Sequence, residues 1–85
     1  MLFSKAIELK SMVNQINHDR ECSCFPTVRF NCLSFADGHW AVDLYIPDGG
    51  CFFSREMKEI NAFIADSDVS YWVGSVANSP CLHFQ

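Results

Sequence analysis

An α+β domain, with two helices packed on one face of a small, mainly antiparallel sheet, is the fold class this sequence predicts. Three observations carry it: an apolar stripe at helical spacing near the start, two alternating segments around Asp37-Gly38, and a second helical stripe followed by a β-branched, aromatic run. The 85 residues suffice for one domain, so residues 1–85 are read as a single unit. A composition that is 49% hydrophobic, with eight Phe and two Trp, supplies large rings for a core and excludes a disordered chain.

Residues 4–17 predict the first helix. Ala6, Leu9, Val13 and Ile16 recur at three- and four-residue steps, Ile7 and Met12 widen the stripe, and Ser4 is placed to cap it. Asn14, Asn17 and His18 mark the decay of the pattern before Pro26, so His18 is expected to close the helix and Arg20 and Glu21 to solvate a connector.

Residues 27–46 predict a β-hairpin whose register follows from side-chain parity. A two-residue turn at Asp37-Gly38 would set Asn31 and Arg29 against Leu44 and Ile46 on the apolar face. A three-residue loop, Ala36 to Gly38 with Gly38 left-handed, instead pairs Val28 with Ile46, Phe30 with Leu44, Cys32 with Val42 and Ser34 with Trp40. One slip reverses every side chain, so the coherent face selects the three-residue loop.

Pro47-Asp48-Gly49-Gly50 predicts a second turn, and residues 51–53 a short third strand. Ser54 is expected to cap a second helix over residues 55–65, with Met57, Ile60 and Ile64 on one face and Phe63 beside them. Residues 66–68 break it, residues 69–76 read as a strand, residues 77–80 as a turn, and residues 81–84 as an edge strand.

The first five elements run in the order of a double-stranded-RNA-binding domain, a resemblance of layout. That fold's basic cluster at the start of its last helix has no counterpart here, because Arg55 and Lys58 are offset by Glu56 and Glu59. Net charge is −4, and the whole deficit lies beyond residue 26, where three basic residues face seven acidic ones. No cluster of Lys and Arg is available to displace counterions from phosphates, so direct nucleic-acid binding is not expected. The first ten residues carry Lys5, Glu8 and Lys10 and lead into no long apolar run, so neither export nor a membrane span is expected. Five cysteines, an odd count, then fit free thiols in the cytoplasm.

The stretch His18-Asp19-Arg20-Glu21-Cys22-Ser23-Cys24 is where metal- and redox-capable groups crowd together. Structural zinc wants four ligands, usually two close pairs, and Cys22-x-Cys24 has no second pair among Cys32, Cys51, Cys81, His39 and His83. A helix C-terminus also disfavours a thiolate. No metal, no cofactor and no catalytic residue is therefore expected, and the chain reads as a non-enzyme.

The outward face of the hairpin and the 69–76 strand carry the site candidates: Arg29, Leu33, Phe35, His39, Asp43, Tyr45, Tyr71 and Trp72. Aromatic and apolar groups flanked by charge suit a protein interface. The expected function is a small acidic protein-binding module that regulates or inhibits another protein, similar in size and charge to phage and mobile-element inhibitors such as anti-CRISPR proteins. A homo-oligomeric structural protein using the same face, a possible homodimer, is one alternative; a cysteine-based metal or redox protein is the other.

Overall fold

The four residues Ala6, Leu9, Val13 and Ile16 lie on one buried stripe of the first helix, in one core with aliphatic and aromatic side chains of the sheet such as Val42, Leu44, Leu82 and Phe84. A computed structural model describes residues 1–76 and 79–85. Within them α1 (Phe3–Cys22), β1 (Arg29–Ser34), β2 (Trp40–Tyr45), α2 (Ser54–Ala65), β3 (Tyr71–Val76) and β4 (Ser79–Phe84) form an α+β fold with one antiparallel sheet of order β1-β2-β4-β3. Leu9, Val42, Leu44, Ile46 and Ile60 are wholly buried, and Phe84 nearly so. Ile7, expected on the stripe, is 48% exposed.

α1 starts at Phe3, and the Leu2 carbonyl accepts the Lys5 and Ala6 amides; Ser4 lies inside the helix and does not cap it. At the other end it runs to Cys22, five residues beyond the expected stop. Asn17 does not end it, because its side chain is committed elsewhere: Oδ1 accepts the Val28 N–H at 2.7 Å and Nδ2 donates to the Val28 carbonyl at 2.9 Å. The helix closes in a Schellman turn, in which Phe25 N–H reaches the Arg20 carbonyl and Cys24 N–H the Glu21 carbonyl. Cys24 takes the left-handed position, φ 60°, that glycine usually fills. His18 sits mid-helix and closes nothing.

Arg20 corrects the sequence expectation most sharply. It is 3% exposed, not solvating a connector. Its Nε and NH2 groups donate to the two oxygens of Glu56, each at 2.6 Å, while NH1 reaches the Pro26 carbonyl and NH2 the Cys51 carbonyl. The guanidinium also lies 4.4 Å from the Phe53 ring centre. One side chain thus ties the end of α1 to the connector and to the start of α2. Glu56 completes the joint by accepting the Phe53 N–H at 2.8 Å, so α2 begins at Ser54 with Phe53, not Ser54, in the cap position. With the Cys51 carbonyl and Phe53 amide so engaged, residues 51–53 form no strand, and the layout shared with the RNA-binding domain ends there.

The β1–β2 register is the one parity predicts, with Phe30 opposite Leu44, Cys32 opposite Val42 and Ser34 opposite Trp40. Phe35 N–H closes the loop onto the His39 carbonyl, and Gly38 has φ +85°. The largest topological difference is β4. It was expected at an edge and begins at residue 81 in that reading; it begins at Ser79 and lies between β2 and β3. Pro80 is compatible with this because the β2–β4 ladder starts only at Tyr45 and Cys81, beyond the proline. Ser79 and Pro80 are strand residues, and the rest of the expected 77–80 turn lies outside the described residues. Cys32 has the parity of the core face, yet the helices leave this part of edge strand β1 exposed. Among the described residues, no helix is long and apolar enough to cross a membrane.

Candidate functional site

Strand alternation sorts the sheet into two faces. Phe30, Val42, Leu44, Leu82, Phe84 and Tyr71 point to the helices, as the Lys10 contact with Phe30 and the Phe63 contact with Phe84 show. The opposite face has no helix on it. Its central row crosses all four strands as Asn31, Asp43, His83 and Trp72, and the next row is Arg29, Tyr45, Cys81 and Gly74.

His83 is held from three sides. The Trp72 ring stacks on it, with centroids 5.3 Å apart and planes 18° from parallel. Gly74 leaves room for the imidazole, since a Cβ there would lie 2.7 Å from Nε2. Nδ1 is 2.7 Å from Asp43 Oδ1, an arrangement in which Nδ1–H donates to the carboxylate. Cys81 Sγ lies 4.0 Å from the same Nδ1. The thiol is completely buried, and burial, reinforced by the Asp43 charge, raises its pKa above the ordinary value.

This geometry limits the chemistry. A Cys–His–Asp relay needs the acid and the nucleophile on opposite ring nitrogens, whereas both partners here share Nδ1. A thiol with a raised pKa is also a poor nucleophile near neutral pH. What the arrangement does provide is three different donor atoms, Asp43 O, Cys81 S and His83 N, all within 4.8 Å of one another.

Of the predicted interface residues, Arg29, Leu33, Asp43, Tyr45 and Trp72 share the helix-free face, where Leu33 is 65% and Trp72 47% exposed. Phe35 and His39 sit at its hairpin end and line an open cleft of about 680 Å³ with Lys5, Asp37 and Asp68. There Asp37 accepts the His39 backbone N–H at 3.0 Å, the main cause of its lowered pKa. Tyr71 leaves the set: it is on the helix side, 5.4 Å from the Phe84 ring. Cys81 and His83, weighed in the sequence as partners for Cys22 and Cys24, are the pair that sequence reasoning did not recognise. The signal was Cys-x-His, which puts both side chains on one face once residues 79–84 are a strand. By contrast, Cys22 and Cys24 remain exposed free thiols, and the nearest feature to a site in that stretch is Cys22 Sγ, 4.0 Å from His18 Nε2.

All five cysteines are free, four exposed and Cys81 buried. Alkylation of the folded protein at neutral pH is therefore expected to label Cys22, Cys24 and Cys51 readily and Cys81 last. Cys32 falls between, because partial desolvation raises its pKa and Lys10 lowers it in part. Raised thiol pKa values mean that the rates at Cys32 and Cys81 keep climbing at pH values where an ordinary thiol has levelled off. Mass-spectrometric mapping checks the order; equal labelling of Cys81 and Cys51 contradicts it.

The chain matches no family model, no curated protein and no solved structure.

Proposed function

We propose that this protein is a small, non-enzymatic protein-binding module that regulates or inhibits another protein by docking through the helix-free face of its sheet. The observation that carries the reading is that a whole four-stranded face lacks helix cover and presents Leu33, Tyr45 and Trp72 among Arg29, Asn31 and Asp43. Apolar anchors within a polar surround are the composition of a protein interface, in which Trp and Tyr carry much of the energy. The expected partner surface is a protein with an apolar pocket for Trp72 and polar groups for its rim. Net acidity plays a lesser part, because Glu56 is consumed by Arg20 and the other carboxylates are spread over several elements. Five free thiols suit a reducing, cytoplasmic setting.

The test is parallel capture from the cells that naturally contain the protein. The wild type and an Asn61→Arg control on exposed α2 should hold the same stoichiometric partner. A Leu33→Glu/Trp72→Ala variant should lose it by about 30-fold or more, the scale of losing one strong aromatic anchor. A partner retained by the face variant, or a strictly monomeric protein with no stoichiometric partner, contradicts the proposal. Exposed Leu33 in edge strand β1 and exposed Phe35 just beyond it favour a second copy as the alternative occupant. Light scattering decides it, since Phe35→Glu should then dissociate a dimer.

A further inference from the structure

We infer that Asp43, Cys81 and His83 form a binding site for a divalent transition metal ion of the zinc class, on the helix-free face. β2 and β4 supply the three ligands from adjacent positions: Asp43 and His83 are cross-strand partners, and Cys81 precedes His83 by two residues on the same face. Their donor atoms converge to within 4.8 Å. Tetrahedral zinc with ligands at 2.0–2.3 Å places its donors roughly 3.3–3.7 Å apart. The Nδ1–Oδ1 pair at 2.7 Å must open by about half an ångström, the Nδ1–Sγ pair at 4.0 Å must close by a similar amount, and the carboxylate–thiol pair, within 4.8 Å, must close by up to about 1.2 Å. The Asp43 side chain, 40% exposed, is the group with room to make most of this adjustment.

The surroundings prepare the site as a metal ligand set requires. Trp72 stacking and the space over Gly74 fix the ring so that Nδ1, not Nε2, faces the other two donors. Cys81 is buried beneath, while Asp43 and His83 side chains are 40% and 22% exposed, so the fourth position faces solvent. On binding, the thiol proton leaves to solvent, the imidazole proton moves from Nδ1 to Nε2 so that the ring stays neutral, and the ion replaces the hydrogen bond to Asp43. One thiolate and one carboxylate then neutralise a divalent cation. Mixed sulfur, nitrogen and oxygen donors select zinc over magnesium or calcium, which want oxygen alone.

Cobalt(II) is the probe. Chelator-treated protein titrated with Co²⁺ should take up one equivalent with a near-ultraviolet thiolate-to-metal band and tetrahedral visible absorption, and Zn²⁺ should displace it. Cys81→Ser should abolish the thiolate band, and Asp43→Asn or His83→Ala should weaken binding about tenfold or more. Cys22→Ser/Cys24→Ser should change nothing. Absence of the band in the wild type overturns the site, as does a band that survives Cys81→Ser and vanishes in the double variant. Circular dichroism verifies that each variant is folded. Should Cys81→Ser unfold, the imidazole ¹⁵N spectrum of the wild type decides: Zn²⁺ must shift His83 Nδ1, and an unmoved resonance rejects the site.

Discussion

Arg20→Ala is expected to destabilise the fold by about 3–5 kcal/mol, because it leaves the Glu56 carboxylate buried without its partner. Glu56 is 2% exposed and holds both short bonds to the guanidinium. The Pro26 and Cys51 carbonyls lose their donor in the same step, and Phe53 loses the cation over its ring. Against a total of about 4–13 kcal/mol for a chain this size, that loss is large. Arg20→Lys should recover only part of it, since an ammonium cannot make the two-pronged contact. Replacing both residues by apolar ones of similar volume should be far milder than either single change, because it removes the charge as well as its partner. Urea denaturation of the wild type and these three variants measures this; an Arg20→Ala loss within about 0.5 kcal/mol, the range of ordinary surface substitutions, contradicts the assignment.

Phe84→Ala should cost a comparable amount, about 3–5 kcal/mol, whereas Trp72→Ala should cost much less. Both rings belong to the β3–β4 pair, but they occupy opposite faces. Phe84 is 1% exposed and packs on Tyr71 at 5.4 Å and Phe63 at 6.5 Å, so truncation leaves a cavity between sheet and α2. Trp72 is 47% exposed and stacks on His83. The asymmetry is therefore a test of which face is core and which is open. Equal losses at the two positions would mean that something also covers the Trp72 side.

What could be read from the residues follows from how local each determinant is. The hairpin register needed only Asp37-Gly38 and the parity of eight neighbours, and β1 and β2 pair as that parity requires. The stripe of α2 was equally plain, because Met57, Ile60, Phe63 and Ile64 all meet the core. The end of α1 was not legible. Arg20 and Glu21 look alike in sequence, and only Glu56, 36 residues away, turns one of them inward. Tyr71 and Trp72 were likewise indistinguishable, since adjacent aromatics give no sign of which faces the helices. The candidate metal cluster was hidden for a related reason: Asp43 meets His83 only because β4 enters the sheet beside β2, whereas residues 81–84 read as an edge strand.

That strand order is the claim on which the open face, the Trp72–His83 stack and the Asp43–Cys81–His83 cluster all depend. Cross-strand nuclear Overhauser contacts test it most directly. β4 should show backbone contacts on both sides, Leu82 with Leu44 in β2 and with Val73 in β3, and His83 with both Asp43 and Trp72. Contacts running directly from β2 to β3, with β4 paired on one side only, would contradict the account.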